Sequence, residues 1–134
     1  MRAVLDVNVL IAALLARDGA PARLLLRWLA GDFELIMSDK VVSELRRALS
    51  YPRLRSRMPG ADASAFVNFL EGTATKELDP DNLMRWSRDA GDDYLLALAV
   101  SASAVVVTGD RDLLDLGGAF PIYSPVEFLA SLDE

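Results

Sequence analysis

Acidic residues recur in this chain where apolar runs begin or end: Asp6 in Ala-Val-Leu-Asp-Val-Asn, Glu44 in Ser-Asp-Lys-Val-Val-Ser-Glu-Leu, Asp92-Asp93 ahead of Tyr-Leu-Leu-Ala-Leu-Ala, and Asp110 with Asp112 in Val-Val-Thr-Gly-Asp-Arg-Asp. The 134 residues contain no histidine and no cysteine. Without an imidazole or a thiol there is no Ser-His-Asp or Cys-His nucleophile and no zinc site of nitrogen and sulfur ligands. Converging carboxylates with no softer donors suit a hard divalent cation, Mg²⁺ or Mn²⁺, in an all-oxygen site. Each acid also has a plain structural role open to it. Asp6 is placed to cap a helix, and Glu44 can pair with Arg47 at i+3 or Lys40 at i−4. Asp92 and Asp93 can act as a capping pair, and Asp110 with Asp112 can make an Asx turn and cap. The four placements together are more specific than any one of them. Asp79, Asp81, Asp89 and Asp115 lack such a placement and read as surface residues.

The elements that must position these acids follow from the apolar pattern. Residues 2–7 read as a buried strand and 9–16 as a helix. A helix over 21–30 follows the Asp18–Pro21 turn, with Leu24, Leu25, Trp28 and Leu29 at helical spacing, and Gly31-Asp32 ends it. A second strand covers 33–37, and Ser38 or Asp39 caps a helix that runs to about Ser50 before Tyr51-Pro52. The next helix, 62–75, places Phe66, Phe69 and Leu70 on one face, and 78–88 reads as a connection without regular structure. A helix over 93–103, a three-valine strand over 104–108, a helical turn at 112–116, an edge strand at 121–124 and a helix over 125–132 capped by Ser124 complete the chain. The fold class is α/β: one domain over 1–134, with a mainly parallel sheet of four or five strands flanked by helices on both faces. In such sheets ligands bind outside the carboxyl ends of the strands, where Asp6 and Asp110 fall. Asp93 at a helix start and Glu44 on the helix after the second strand belong to the same edge.

Composition narrows the class further. With 52% hydrophobic residues the chain is globular, and no apolar run reaches the roughly 18 residues of a membrane span. The opening apolar stretch is too short for a secretory signal, and the missing cysteines rule out a disulfide framework, so a cytoplasmic location is expected. Formal net charge is −6, yet residues 40–60 carry +5 (Lys40, Arg46, Arg47, Arg53, Arg55 and Arg57 against Glu44), leaving −11 on the rest. The basic stretch reads either as a solvated helix face or as a contact for a polyanion or an acidic partner segment. Trp28 and Phe128 could supply a homodimer face, although their spacing assigns both to the core.

On these motifs the chain resembles, over essentially its whole length, the PIN-domain family: compact α/β metal-dependent ribonucleases that include many bacterial toxins of toxin–antitoxin pairs. Val-Leu-Asp-Val-Asn-Val-Leu looks like the family's first-strand motif, with Asp6 as the first metal-site acid and Asn8 at the polar position that follows. Met37-Ser38 with Ser43-Glu44-Leu45 looks like the second segment. Asp92-Asp93-Tyr-Leu-Leu-Ala-Leu-Ala is similar to the third, with the spacing to the alanines favouring Asp93. Val-Val-Thr-Gly-Asp-Arg-Asp-Leu-Leu places Asp110 as the fourth acid, Asp112 as an auxiliary and Thr108 as a nearby hydroxyl. Ala90-Gly91 departs from the Pro-Asp of many relatives. The resemblance implies Mg²⁺ or Mn²⁺ held by Asp6, Glu44, Asp92, Asp93, Asp110 and Asp112, with Asp6, Glu44, Asp93 and Asp110 catalytic and Asn8, Ser38 and Thr108 in support. It implies an RNA substrate, contacted through Arg46, Arg47, Arg53, Arg55 and Arg57, and an antitoxin protein as partner.

Two other readings compete. A non-catalytic module of the same fold, binding RNA or protein, would have no need of all four acids. A receiver- or phosphatase-like domain with Asp6 as phosphoacceptor would want a second aspartate two residues on, where Asn8 stands, and a strand-end lysine, whereas the only lysines are Lys40 and Lys76.

Overall fold

The computed structural model describes residues 1–81 and 93–134. The apolar start of the chain forms β1 (Arg2–Leu5), and Asp6 turns it directly into α1 (Val7–Leu15): the Asp6 carbonyl accepts the Val9 and Leu10 N–H groups at 2.9 and 3.1 Å. The strand is therefore shorter, and the helix starts earlier, than the apolar run suggests. Helix α2 (Ala20–Leu29) has Pro21 in its first turn and ends on Gly31, with φ +89°. The Gly31 and Asp32 N–H groups close back on the Trp28 and Arg27 carbonyls, which only a residue tolerant of left-handed backbone permits cheaply.

After β2 (Glu34–Met37), Ser38 caps α3 (Asp39–Leu49) by accepting from Val41 N–H at 3.2 Å. A second first-turn amide, Lys40 N–H, donates to Asp79 at 2.9 Å, so Asp79 has a structural role that its surface position concealed. Pro52 does not simply stop the chain; it opens the short helix α4 (Pro52–Arg55), a position where its missing N–H costs nothing. Then come α5 (Gly60–Thr73) and a two-residue strand, β3 (Thr75–Lys76), that the sequence pattern did not indicate. Residues 82–92 lie outside the described residues, and with them Asp92, Asp89 and most of the expected connection over 78–88. The chain continues with α6 (Asp93–Ala102), β4 (Val105–Val107), α7 (Arg111–Leu114), β5 (Ile122–Tyr123) and α8 (Pro125–Ser131). Ser124 caps α8 in a reciprocal box with Glu127.

Among the described residues the sheet has five strands in the order β3-β2-β1-β4-β5, every pairing parallel. The chain travels outward from β1 to β3, then returns to the other side of β1 for β4 and β5. The reversal falls between β1 and β4, paired Ala3 to Val105 and Leu5 to Val107. Ala3, Val4 and Leu5 point to alternate faces and are all fully buried, so both faces of the sheet are covered. Leu10, Leu24, Leu45, Leu98 and Phe128 are among the side chains that fill the core, with the Phe128 ring edge-on to Phe33 at 5.2 Å. Trp28 and Phe128 both belong to this core, as their spacing indicates. Leu29 and Phe69, expected on buried faces, are 53% and 46% exposed; Phe69 leans edge-on to Trp28 at 6.0 Å. Among the described residues no helix is long and apolar enough to cross a membrane.

Helix α6 ends like α2, with the Ala104 N–H on the Ala99 carbonyl at 2.9 Å, but the left-handed position is taken by Ser103 at φ +53°. A side chain there costs on the order of 1 kcal/mol. Ser103→Gly is therefore expected to raise unfolding stability by up to about 1 kcal/mol, and Gly31→Ala to lower it by about the same amount. Urea denaturation of the two variants beside the parent chain measures both.

Candidate active site at the carboxyl edge of the sheet

Among the described residues the buried polar side chains are Asp6, Ser38, Asp93 and Thr108, and each lies at the carboxyl edge of a strand or the start of a helix. Burying such groups costs several kcal/mol unless they are hydrogen-bonded or paired. At Asp6 the backbone fixes the position first. Its N–H bonds the Val107 carbonyl at 2.9 Å, and Thr108, the next residue of that strand, is tied to β5 through its own N–H on the Tyr123 carbonyl at 2.9 Å. The Thr108 hydroxyl then donates to Asp6 Oδ2 at 2.7 Å and accepts the Asp110 N–H at 3.0 Å. Asp6 Oδ1 has only a long contact, 3.5 Å, with the Asn8 N–H at the start of α1. Asp110 caps α7, accepting from Asp112 N–H at 2.8 Å. Both aspartates are thus helix caps and strand-end acids at once: Asp6 uses Oδ1 for its cap and Oδ2 for Thr108, and Asp110 uses Oδ1 for its cap.

Burial pushes the Asp6 carboxyl above its ordinary pKa; the Thr108 hydroxyl and the Asn8 amide pull it down, and the neighbouring negative charge of Asp110 pushes it up again. That repulsion places the two carboxylates in one electrostatic environment. Asp93, the first residue of α6, is 6% exposed, on a helix packed against β1 and β4. Asp112 is half-buried in the first turn of α7.

Glu44 lies on α3 and is already matched by cations: Arg47 Nη2 is 2.6 Å and Lys40 Nζ 3.8 Å from its carboxylate. The Arg47 guanidinium, with help from Lys40, holds the Glu44 carboxyl below its ordinary pKa. Lys40 Nζ also stands 5.6 Å from the Tyr94 ring, which puts the Glu44 ion pairs beside the residue that follows Asp93. Ser38 serves as the α3 cap, one residue past the end of β2. Among the described residues no three acidic side chains are grouped closely enough to hold a metal ion together.

The basic stretch separates into two kinds of arginine. Arg47 also donates to the Tyr51 hydroxyl at 2.9 Å, and Arg46 pairs with Glu71 at 3.4 Å and Asn68 at 3.1 Å. Arg53, Arg55 and Arg57 are exposed, and none has an ion pair among the described residues. Arg55 is nonetheless held: its Nε donates to the Leu49 carbonyl at 3.3 Å, and its guanidinium lies where a Cβ on Gly60 would stand. Ala12, Pro21, Gly109 and Pro125 were missed from the sequence; with Asn8 they line a hollow beside Asp110. The i to i+4 spacing on α1 puts Ala12 on the same face as Asn8, but no sequence signal joins Pro21, Gly109 and Pro125 to them.

The family model described as PIN domain matches residues 2–112 of this chain. An uncharacterized protein of Methanocaldococcus jannaschii, MJ1680, is 24% identical over 124 residues, covering 87% of this chain and 75% of that protein. A crystal structure of VapBC2 from Rickettsia felis bound to a promoter DNA fragment superposes with a TM-score of 0.63 at 14% identity, over 92% of this chain and 98% of that one. FitAcB from Neisseria gonorrhoeae gives a TM-score of 0.58 at 19% identity with the same coverage. At these identities the two structures establish the fold.

A raised carboxyl pKa in the folded state means that the unfolded chain loses its proton first. Stability is then greatest below the unfolded value of about 3.9 and falls as pH rises to the folded value. Asp6→Asn removes this loss while keeping an acceptor for Thr108. In EDTA the variant is expected to be more stable than the parent at pH 7 and equal to it near pH 3.5. Urea unfolding across that range tests the sign; a variant less stable at pH 7 would mean that the Asp6 charge is already compensated.

Proposed function

The chain belongs to the PIN-domain family, and from that premise we propose that it is a divalent-metal-dependent ribonuclease that hydrolyses RNA phosphodiester bonds, as the toxin of a toxin–antitoxin pair acting in the cytoplasm. The observation that carries the proposal is the pair Asp6 and Asp110, one buried and each joined to Thr108, at the switch point between β1 and β4. The toxin–antitoxin part is supported by likeness of fold to VapBC2 and FitAcB, two solved complexes.

The residues fit Mg²⁺ or Mn²⁺. The donors are all oxygens, Asp6 and Asp110 repel each other when no cation is present, and Mg²⁺ needs only one or two carboxylates because it keeps several waters and takes substrate phosphate oxygens. The absence of a group of three acids among the described residues is compatible with that coordination. A bound ion would supply an acidified water and offset charge on the phosphate. Thr108 holds the Asp6 carboxylate in one rotamer, so the acid need not reorganise during reaction. In this proposal Asp6 and Asp110 bind the ion directly, Asp93, Asp92 and Asp112 act as auxiliary acids through its waters, and one carboxylate accepts the proton released by the attacking water. Glu44 joins by giving up its pairing with Arg47 and Lys40, which frees those cations for RNA phosphates. Arg53, Arg55 and Arg57 need no such exchange and are the first candidates for backbone contact.

Three experiments test this. Purified protein is incubated with structured and unstructured RNA in Mg²⁺, Mn²⁺ or EDTA beside Asp6→Asn and Asp110→Asn, each expected to lose on the order of 100-fold or more in cleavage. Calorimetry should show weakened metal binding by both; unchanged affinity removes that residue from the site. Neutralising Arg53, Arg55 and Arg57 together is expected to reduce the slope of log K against log salt by about 2, three phosphates at roughly 0.7 each. An unaltered slope assigns RNA contact elsewhere.

A further inference from the structure

Beside Asp110 opens a cavity of about 410 Å³, lined by Asn8, Val9 and Ala12 of α1, by Pro21 and Pro125, and by Gly109 and Asp110. Its volume lies within the roughly 300–1,000 Å³ of small-molecule sites. The lining is divided in character. Val9, Ala12, Pro21 and Pro125 present no hydrogen-bonding side chain, whereas Asn8 and Asp110 bring an amide and a carboxylate. Asp110 ties the cavity to the carboxylate pair. No lysine or arginine is among the lining residues, and the Asp110 charge disfavours an anion there. The phosphate of a substrate would therefore not enter. A flat, uncharged heterocycle with apolar faces and a hydrogen-bonding edge would.

Asn8 is exposed at the cavity wall, and among the described residues its side-chain amide has no hydrogen-bond partner within the chain, so it is open to a ligand; its backbone N–H points to Asp6. An amide of this kind offers an acceptor and two donors on one plane, the complement of a base edge. Single-stranded RNA presents such edges when its bases are splayed from the stack. At Gly109, in the cavity wall, a Cβ would meet no atom within 4 Å, so the backbone beside Asp110 faces open space.

We propose that this cavity is the subsite for the nucleobase adjoining the scissile phosphate, and that Asn8 is the residue that sets base preference. The proposal rests on the ribonuclease reading for the phosphate's place, but the cavity's ligand class can be tested without catalysis. The base packs between α1 and the two prolines, its edge meets the Asn8 amide, and the attached phosphodiester extends toward Asp6 and Asp110.

The test uses uncharged probes, so repulsion by the empty carboxylates does not obscure it. Adenosine, guanosine, cytidine and uridine, with ribose as the base-free control, are titrated into ¹⁵N-labelled full-length protein in EDTA. Amide shifts are expected at Asn8, Ala12 and Gly109, with one nucleoside preferred several-fold and ribose silent. Ala12→Leu fills the cavity with a good helix former and should weaken the preferred nucleoside at least about tenfold. The conservative Ala12→Ser should bind as the parent does, and the amide spectrum of each variant reports whether its fold is kept. Responses equal for ribose and nucleosides, no shifts at these amides, or undiminished binding to Ala12→Leu would each overturn the subsite. RNAs varied at the bases on either side of the cleaved bond separate this idea from its premise. If the parent cleaves with a preference that Asn8→Ser leaves unchanged, the subsite fails and the ribonuclease reading stands. If nucleosides bind as expected but no RNA is cleaved, the reverse holds.

Discussion

A carboxylate removed from water must be met by hydrogen bonds or by a cation, and Asp6 is removed from water by the strands on which it sits. Its backbone N–H is part of the β1–β4 ladder, so it cannot move outward without breaking that pairing. The Thr108 hydroxyl satisfies one oxygen, and the same hydroxyl receives the Asp110 amide. From this small knot the rest follows. Helix α1 leaves β1 at Asp6, helix α7 starts at Asp110, and the reversal of strand order leaves a crevice between the two. The other Asp6 oxygen is met, among the described residues, only by backbone amides at the start of α1, the Asn8 N–H standing 3.5 Å away.

The arrangement of charge also differs from what a count conveys. A surplus of five positive charges over residues 40–60 suggests a broad basic face. In the folded chain Arg46 and Arg47 are matched to Glu71 and Glu44, and Lys40 shares Glu44 and lies near the Tyr94 ring. Unmatched among the described residues is the group around α4, a helix of one turn that exposes Arg53 and Arg55 with Arg57 just beyond. The field available to a polyanion is accordingly smaller and more local. Glu44 has an exchangeable position: its ionised form is stabilised by cations that could equally serve another anion.

Much of this was legible in the sequence where local chemistry and global placement agree. The apolar strand that gives way to Thr108, Ser38 and Ser124 ahead of their helices, and the aspartate opening α6 are all strong local signals, whereas the first strand was read through Asp6 to residue 7 and ends at Leu5. Strand β3 was not legible because two residues, one of them a lysine, carry no pattern; only pairing with Ile36 and Met37 makes them a strand. Pro52 was read as an ending and is a beginning, since proline suits a first turn as well as it stops a last one. Spacing showed that Leu29 and Phe69 were on helices, but not that those faces lack a neighbour. Periodicity gives the direction of a side chain, whereas burial depends on which element arrives opposite. The cavity beside Asp110 was hidden for the same reason: Ala12, Pro21 and Pro125 are distant in sequence and chemically bland.

Asp6 and Thr108 are 102 residues apart along the chain, and Thr108 is in turn fastened to β5 through Tyr123. Contacts of such long range form late, because the loop they close must be ordered before any stabilisation is returned. During synthesis, which proceeds at roughly 5–20 residues per second, β1 and its aspartate emerge several seconds before the strand that completes the site. Throughout that interval the nascent chain carries the first acid of the pair without the second and without the hydroxyl that orients it. The hydrogen bonds that orient Asp6 cannot form until Thr108 and Asp110 have been made. A chain cut short before β4 would hold Asp6 without either partner.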